Sequence, residues 1–402
     1  MGSDPAAYRT AGAARFALFA YGFRPFFLLA GWFALLVVPA WVVVHTHGLV
    51  PLGAMPPQLW HAHEMLYGFV GAAVAGFLLT AVPSWTGAGG FAGPPLVILS
   101  ALWIVGRAAF AAAAVLPAWF IAALELAFLP ALAFVLAPPL VRAGNRNTIL
   151  LVVIGALWLS DAAFMFGVAS DDALTAQRAL RFAINLLLVL VTVIGGRIVP
   201  SFTANAARER GDAANVRTWP AVERGVLATM IAIAIVDLWL PDTVLSGWIA
   251  AVAAVAQAAR MTGWRTLSTR RQPILWVLHL GYGWLPVGLA LKALWLVANA
   301  PWAAYWLHAL TMGVFGTMIP AVMTRVALGH TGRPLIVRGS IAVSYGLLAL
   351  GTLVRIAAPV LWPTAYVPAL AVSSALWSGA FVLFVWVYTP ILITARADGK
   401  PG

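Results

Sequence analysis

The chain has 402 residues, is 63% hydrophobic and 9% charged, and has a mean hydropathy of +0.94, which excludes a soluble globular domain. The formal charge of +12 comes from 24 Lys and Arg, nearly all Arg, but these are spread over short connections rather than gathered on one exposed element, so no nucleic acid partner is expected. The absence of Cys removes disulfides, thiolate copper sites, c-type haem attachment and iron–sulfur clusters together, so any metal must rest on His, Met, carboxylate or Tyr.

Residues 1–24 read as a cytoplasmic arm without a cleavable apolar leader, so the first span is expected to be retained. Apolar runs of ~18–25 residues then predict helices. They fall at 25–44, 62–83, 95–116, 118–140, 147–168, 176–199, 221–240, 243–260, 273–297, 302–325, 340–359 and 364–393. The expected fold is an all-α integral membrane protein of about twelve transmembrane helices, forming one domain over 25–393 and ending in a cytoplasmic tail, 394–402. Connections are short and rich in Pro and Gly, as at Pro56-Pro57, Pro94-Pro95 and Pro301, and none is long enough for a folded soluble domain.

Loop cations set the orientation. The N-terminal arm, the even-numbered connections and the tail hold most of them, including Arg9, Arg15, Arg142, Arg146, Arg208, Arg210, Arg265, Arg270, Arg271, Arg333, Arg396 and Lys400. Both termini are therefore expected in the cytoplasm. The connection at 84–94 carries no cation although this scheme makes it cytoplasmic. In this topology Arg107, Glu125, Asp161, Arg181, Asp237, Lys292 and Arg355 fall in the outer halves of their helices. Ionisable residues inside a membrane are functional candidates by default.

Histidines enter at the same level. Helix 2 opens with Trp60-His61-Ala62-His63-Glu64-Met65, and helix 10 with Trp306-Leu307-His308. His63-x4-Gly68-x2-Gly71 has the spacing of His308-x4-Gly313-x2-Gly316. Two imidazoles at matched depth beside small residues suggest a prosthetic group, and a b-type haem held by His63 and His308 is the leading expectation, with Met65 and Met312 as competing ligands. The glycines either make room for the edge of a macrocycle or allow close helix packing. Arg178 and Arg181, three residues apart at the start of helix 6, are the first candidates for propionate partners; Arg107, Lys292 and Arg355 are alternatives. His61 lies ~200° from His63 on an ideal helix, so the two cannot ligate one metal without distortion of the backbone, although they could serve two sites. With His45 and His47 at the end of helix 1, His61 forms either a copper or zinc site or a solvated surface cluster. His279 is read as a third intramembrane ligand or a satisfied helix-face histidine, and His330 as a loop residue. Most Trp, such as Trp41, Trp60, Trp119, Trp239, Trp302 and Trp362, are expected in the interfacial belts.

Several blocks carry a family likeness: Tyr21-Gly-Phe-Arg-Pro-Phe-Phe, Trp60-His-Ala-His-Glu-Met, Thr80-Ala-Val-Pro-Ser-Trp-Thr-Gly, His279-Leu-Gly-Tyr, His308-Ala-Leu-Thr-Met-Gly and Met323-Thr-Arg-Val-Ala-Leu-Gly-His-Thr-Gly-Arg. Together they resemble the NnrS family. That resemblance implies a multi-pass protein of the bacterial inner membrane, containing haem and copper, whose partner is nitric oxide or a related small molecule. A second likeness, of architecture, is to the haem-copper oxidases and related nitric-oxide reductases, which also bear haem-ligating histidines near the outer ends of helices 2 and 10. Residues 176–240 contain no His, so the three-histidine metal centre of those enzymes is missing. The remaining alternatives are a twelve-helix secondary transporter and a non-enzymatic haem or nitric oxide sensor.

Overall fold

The computed structural model describes residues 16–48, 55–212 and 215–400. Most of the N-terminal arm, with Arg9 and Arg15, lies outside the described residues. Eleven helices among the described residues are long and apolar enough to cross a membrane: α1 (Phe23–His47), α2 (Pro57–Thr86), α3 (Pro94–Ala111), α4 (Ala118–Arg142), α5 (Arg146–Ala169), α6 (Ala173–Glu209), α8 (Val244–Thr262), α9 (Pro273–Val297), α10 (Pro301–His330), α11 (Gly339–Leu361) and α12 (Pro363–Ile393). Helix α7 (Pro220–Trp239) is also long, at 20 residues, but carries Glu223, Arg224 and Asp237. All twelve expected segments are thus helical.

Sequential helices pack side by side, and the ring closes where α1 meets α12. An isolated bridge between Phe16 and Thr394 holds the two chain ends together. The Arg24 guanidinium reinforces this closure by donating to the carbonyls of Leu392 (3.0 Å) and Thr394 (2.6 Å), two of the last acceptors at the α12 C-terminus. Both described chain ends therefore lie at one end of the bundle.

The innermost helices carry the repeated motif. The most apolar windows of α2 and α10 are 72% and 67% buried, more than those of the other spans, which identifies these two helices as central. They meet α6 around a cavity of about 100 Å³ lined by Ala73, Gly195 and Met318 among others. Each also contains a seven-residue π-helical segment, Glu64–Val70 in α2 and Ala309–Phe315 in α10. Each segment starts directly after the histidine of the repeat, His63 or His308, and stops directly before its second glycine, Gly71 or Gly316. Such i→i+5 turns are rare and concentrate at functional positions.

The glycines explain the local packing. A Cβ at Gly68 would collide with the ring of Phe33 on α1, and one at Gly313 would sit 2.7 Å from the Trp284 ring on α9. These two let aromatic rings of neighbouring helices lie against the π segments, the second of the roles expected for them. Trp119, Trp239, Trp302 and Trp362 are exposed, as belt residues should be, whereas Trp41 and Trp60 are buried and depart from that expectation.

Candidate functional site

A cavity of about 290 Å³ lies between α1, α2, α10, α11 and α12, near the end of the bundle where α2 and α10 begin. Its wall is apolar except for a few side chains, the pattern of a small-molecule or cofactor pocket. His61 reaches it from α2 and His308 from α10; Met65 and Met312 stand one turn deeper on the same two helices, and Arg355 enters from α11. The His61 ring is fixed by stacking on Trp41, with centroids 4.1 Å apart, and His45 stacks on that same indole at 5.2 Å. The His61 Nδ1 is buried without a hydrogen-bond partner. A buried ring nitrogen in that condition is costly unless something in the cavity takes it up.

Arg355 poses the same problem in charge. Its side chain is only 8% exposed, it forms no ion pair among the described residues, and its Nη1 has no hydrogen-bond acceptor. The guanidinium lies 5.4 Å from the Tyr305 ring centroid and 5.8 Å from that of Tyr366, so two aromatic faces supply part of its stabilisation. The cavity thus presents two imidazoles, two thioethers and one uncompensated cation. That donor set suits a flat apolar group with a metal at its centre and an anionic edge.

The expected residues divide differently from the sequence reading. His63 does not line the cavity and does not face His308. It points to the opposite side of α2, where Nε2 lies 2.9 Å from Asp161 Oδ1 and 3.8 Å from Glu125 Oε1, and Nδ1 lies 3.3 Å from Glu64 Oε1. His61, not His63, is therefore the α2 histidine that shares a cavity with His308. The physical reason is that the two histidines stand ~200° apart in the regular turn that precedes the π segment, so only one of them can face α10, and the matched spacing of the repeat does not say which. Of the four repeat glycines only Gly316 lines the cavity. Gly68 and Gly313 are taken up by packing, and a Cβ at Gly71 would meet only the Leu66 carbonyl, at 3.6 Å.

Arg178 is exposed, and Arg181 pairs with Asp242 at 2.5 Å on the surface, so neither reaches the cavity; Arg355, an alternative in the sequence reading, does. His279 is a satisfied histidine that does not line the cavity: Nε2 is 2.9 Å from the Thr203 hydroxyl and Nδ1 is 3.0 Å from that of Thr266. His47 turns back to its own helix, 3.1 Å from the Val43 carbonyl. His45 and His61 share Trp41, but His45, His47 and His61 do not form a metal-ready trio. Among the described residues the one group of three or more such donors close enough to share an ion is His63, Glu125 and Asp161. Two further intramembrane charges pair elsewhere: Lys292 with Asp237, whose carboxylate also accepts from Asn185 at 3.0 Å.

Sequence reasoning did not foresee Trp41 as the platform for His61, nor Tyr305 and Tyr366 as the supports of Arg355. The Trp41-x3-His45 spacing, one helical turn, is the local signal that pairs an indole with an imidazole on one face.

No curated protein matches the sequence. A family model described as NnrS protein matches residues 17–396, almost the whole of the 402-residue chain, including every side chain of the cavity. The chain belongs to the NnrS family.

Proposed function

We propose that the cavity binds a b-type haem between His61 and His308 and that the protein uses it to bind nitric oxide, in the bacterial inner membrane. The observation that carries this reading is the meeting, around one apolar cavity, of two imidazoles from the two central helices and a buried guanidinium without a carboxylate partner. Haem supplies an iron centre able to take up a diatomic ligand when an axial position is free or can be freed.

The chain's own residues prepare that site. Stacking on Trp41 holds His61 in one orientation and lowers the entropic cost of ligation. Arg355 is placed to neutralise a propionate in a region where an isolated carboxylate would be expensive. Phe69, Phe315 and Trp377 line the wall and exclude water. Met65 and Met312 offer a weaker ligand on either side should one imidazole be displaced. Copper, expected from the family, has no equally developed His-rich site among the described residues; His45 beside Trp41 and His61 is the nearest approach. The cavity reaches the middle of α2 and α10 at Val70 and Gly316, but its polar side chains, His61, His308 and Arg355, stand towards the end where those helices begin, which favours a fixed cofactor over the midplane substrate site of an alternating-access transporter.

The test is an absorption spectrum of the purified, detergent-solubilised protein and its variants. Soret and alpha bands of low-spin haem are expected in the parent, with loss or conversion to high spin in His61→Ala and in His308→Ala. His279→Ala should leave them intact. Unaltered spectra in both cavity variants, in correctly inserted protein, would overturn the assignment.

A further inference from the structure

The haem site leaves unexplained the cluster behind it, on the other side of α2. His63, Glu64, Arg107, Glu125 and Asp161 come from α2, α3, α4 and α5, and each is at most 8% exposed. Arg107 pairs with both Glu64 and Glu125. The rings of Phe110 and Phe164 stack on the imidazole, with centroids 4.2 and 4.6 Å away, and shut the cluster off from lipid.

Two counts fail to close. Three carboxylates against one guanidinium leave two negative charges inside a membrane-spanning bundle when the imidazole is neutral. A neutral imidazole also has a single N–H. If Glu64 accepts it at Nδ1, the Nε2 lone pair confronts Asp161 Oδ1 at 2.9 Å with no proton between them. In addition, Glu125 is almost fully buried and its Oε2 has no hydrogen-bond partner. One dication satisfies the charge count and the lone-pair count together.

We propose that His63, Asp161 and Glu125 form a binding site for a hard-to-borderline divalent cation of the manganese, ferrous iron or zinc class. Their ligand atoms lie within 4.8 Å of one another. Ligands ~2.0–2.1 Å from a tetrahedral ion stand ~3.3 Å apart. The distances of 2.9 and 3.8 Å from Nε2 to the two carboxylate oxygens bracket that separation. One imidazole with two carboxylates is a borderline-to-hard donor set, unlike the thioether and thiolate ligands that select cuprous ion. Glu64 is the orienting carboxylate: it takes the Nδ1 proton and fixes the tautomer that turns Nε2 to the ion, while Arg107 ties Glu64 to Glu125. A cavity of about 180 Å³, lined by Phe110, Ile121, Met165 and the exposed Asp171 among others, lies on the far side of the Phe110 ring from His63.

The inference does not depend on the haem assignment, and its test is kept separate. The purified full-length protein is incubated with Mn²⁺ or with Zn²⁺, freed of excess by gel filtration and analysed for elements and by electron paramagnetic resonance. About one equivalent per chain is expected. The Mn²⁺ signal should carry coupling to a single imidazole nitrogen, and Zn²⁺ should displace it. Asp161→Asn and Glu125→Gln should each lower retention at least tenfold in protein that still elutes as a monodisperse species. Retention below a tenth of an equivalent of both ions by the parent protein overturns the proposal, as does bound Mn²⁺ without nitrogen coupling. These two readings on the parent decide the matter even where a variant does not fold.

Discussion

His61 and His63 sit two residues apart on one helix and face opposite sides of it: His61 stacks on Trp41 at the wall of the large cavity, and His63 stacks on Phe110 within a cage of carboxylates. Their losses should therefore be separable. His61→Ala is expected to remove the low-spin haem bands while the protein still retains Mn²⁺, and His63→Ala to remove Mn²⁺ retention while the haem bands persist. Optical spectra and metal analysis on the same samples check this, and simultaneous loss of both in either variant contradicts it.

Arg355 should govern how tightly the cavity holds its occupant. A hydrogen bond to a charged group is worth ~1.5–3 kcal/mol, so Arg355→Gln is expected to weaken haem retention roughly 10- to 100-fold. Arg355→Lys should recover part of that loss, because charge is kept while the planar fork is not. Transfer of haem to an excess of apomyoglobin reads the difference; equal transfer rates for the parent and Arg355→Gln would show that the guanidinium serves another purpose.

The Asp237–Lys292 pair is buried, at 7% and 2% exposure. Removing one partner leaves an isolated charge and costs ~3–5 kcal/mol, whereas removing both is close to neutral. Lys292→Met should thus lower the thermal midpoint in detergent markedly, and the double variant Asp237→Asn with Lys292→Met should recover most of it. A double variant as unstable as the single one would assign the loss to packing.

Glycine substitutions give a comparison free of charge effects. Gly313→Ala drives a methyl into Trp284 and should cost ~1–3 kcal/mol through overpacking. Gly155 on α5 has nothing within 4 Å of a new Cβ, so Gly155→Ala should be neutral or stabilise by up to ~1 kcal/mol. Thermal midpoints of the two variants should bracket the parent.

Topology follows from the cations. Reporter fusions after Thr266 and after Lys400 should score cytoplasmic, and a fusion after Ala300 should not. The reverse pattern would invert the whole bundle without altering its internal geometry, because both described chain ends share one end through Arg24 and the Phe16–Thr394 bridge.

The helical architecture was legible because hydropathy over a span is a sum, insensitive to any one residue. The level of the buried ionisable side chains was also legible: Arg107, Glu125, Asp161 and His63 converge as their common depth implied. Partner choice was not. Whether Arg107 meets Glu125 or a propionate depends on which faces α3 and α4 turn to each other, and that is decided by packing such as the close approach of Glu125 to Gly106. The repeat around His63 and His308 was visible as spacing, but spacing does not say which of His61 and His63 turns to the cavity that His308 lines. Arg178 looked well placed on the helix axis, yet its azimuth leaves it exposed.

The π segments offset the two ends of each central helix from the angular relation that a uniform turn of 100° per residue would give. Residues 57–63 and 71–86 of α2 belong to separate angular frames joined by Glu64–Val70, and α10 is divided in the same way. Deleting a single residue within Glu64–Val70 would close that stretch to an ordinary helix and leave the turns on either side nearly in their present directions, because the wider turn absorbs a residue that a uniform helix would answer with a swing of ~100°. His61 and His63 would then keep their outlooks, whereas the same deletion in the regular stretch that follows would turn both away from their partners. The segment acts as a length buffer, and a homologous chain one residue shorter here could still address the same two compartments.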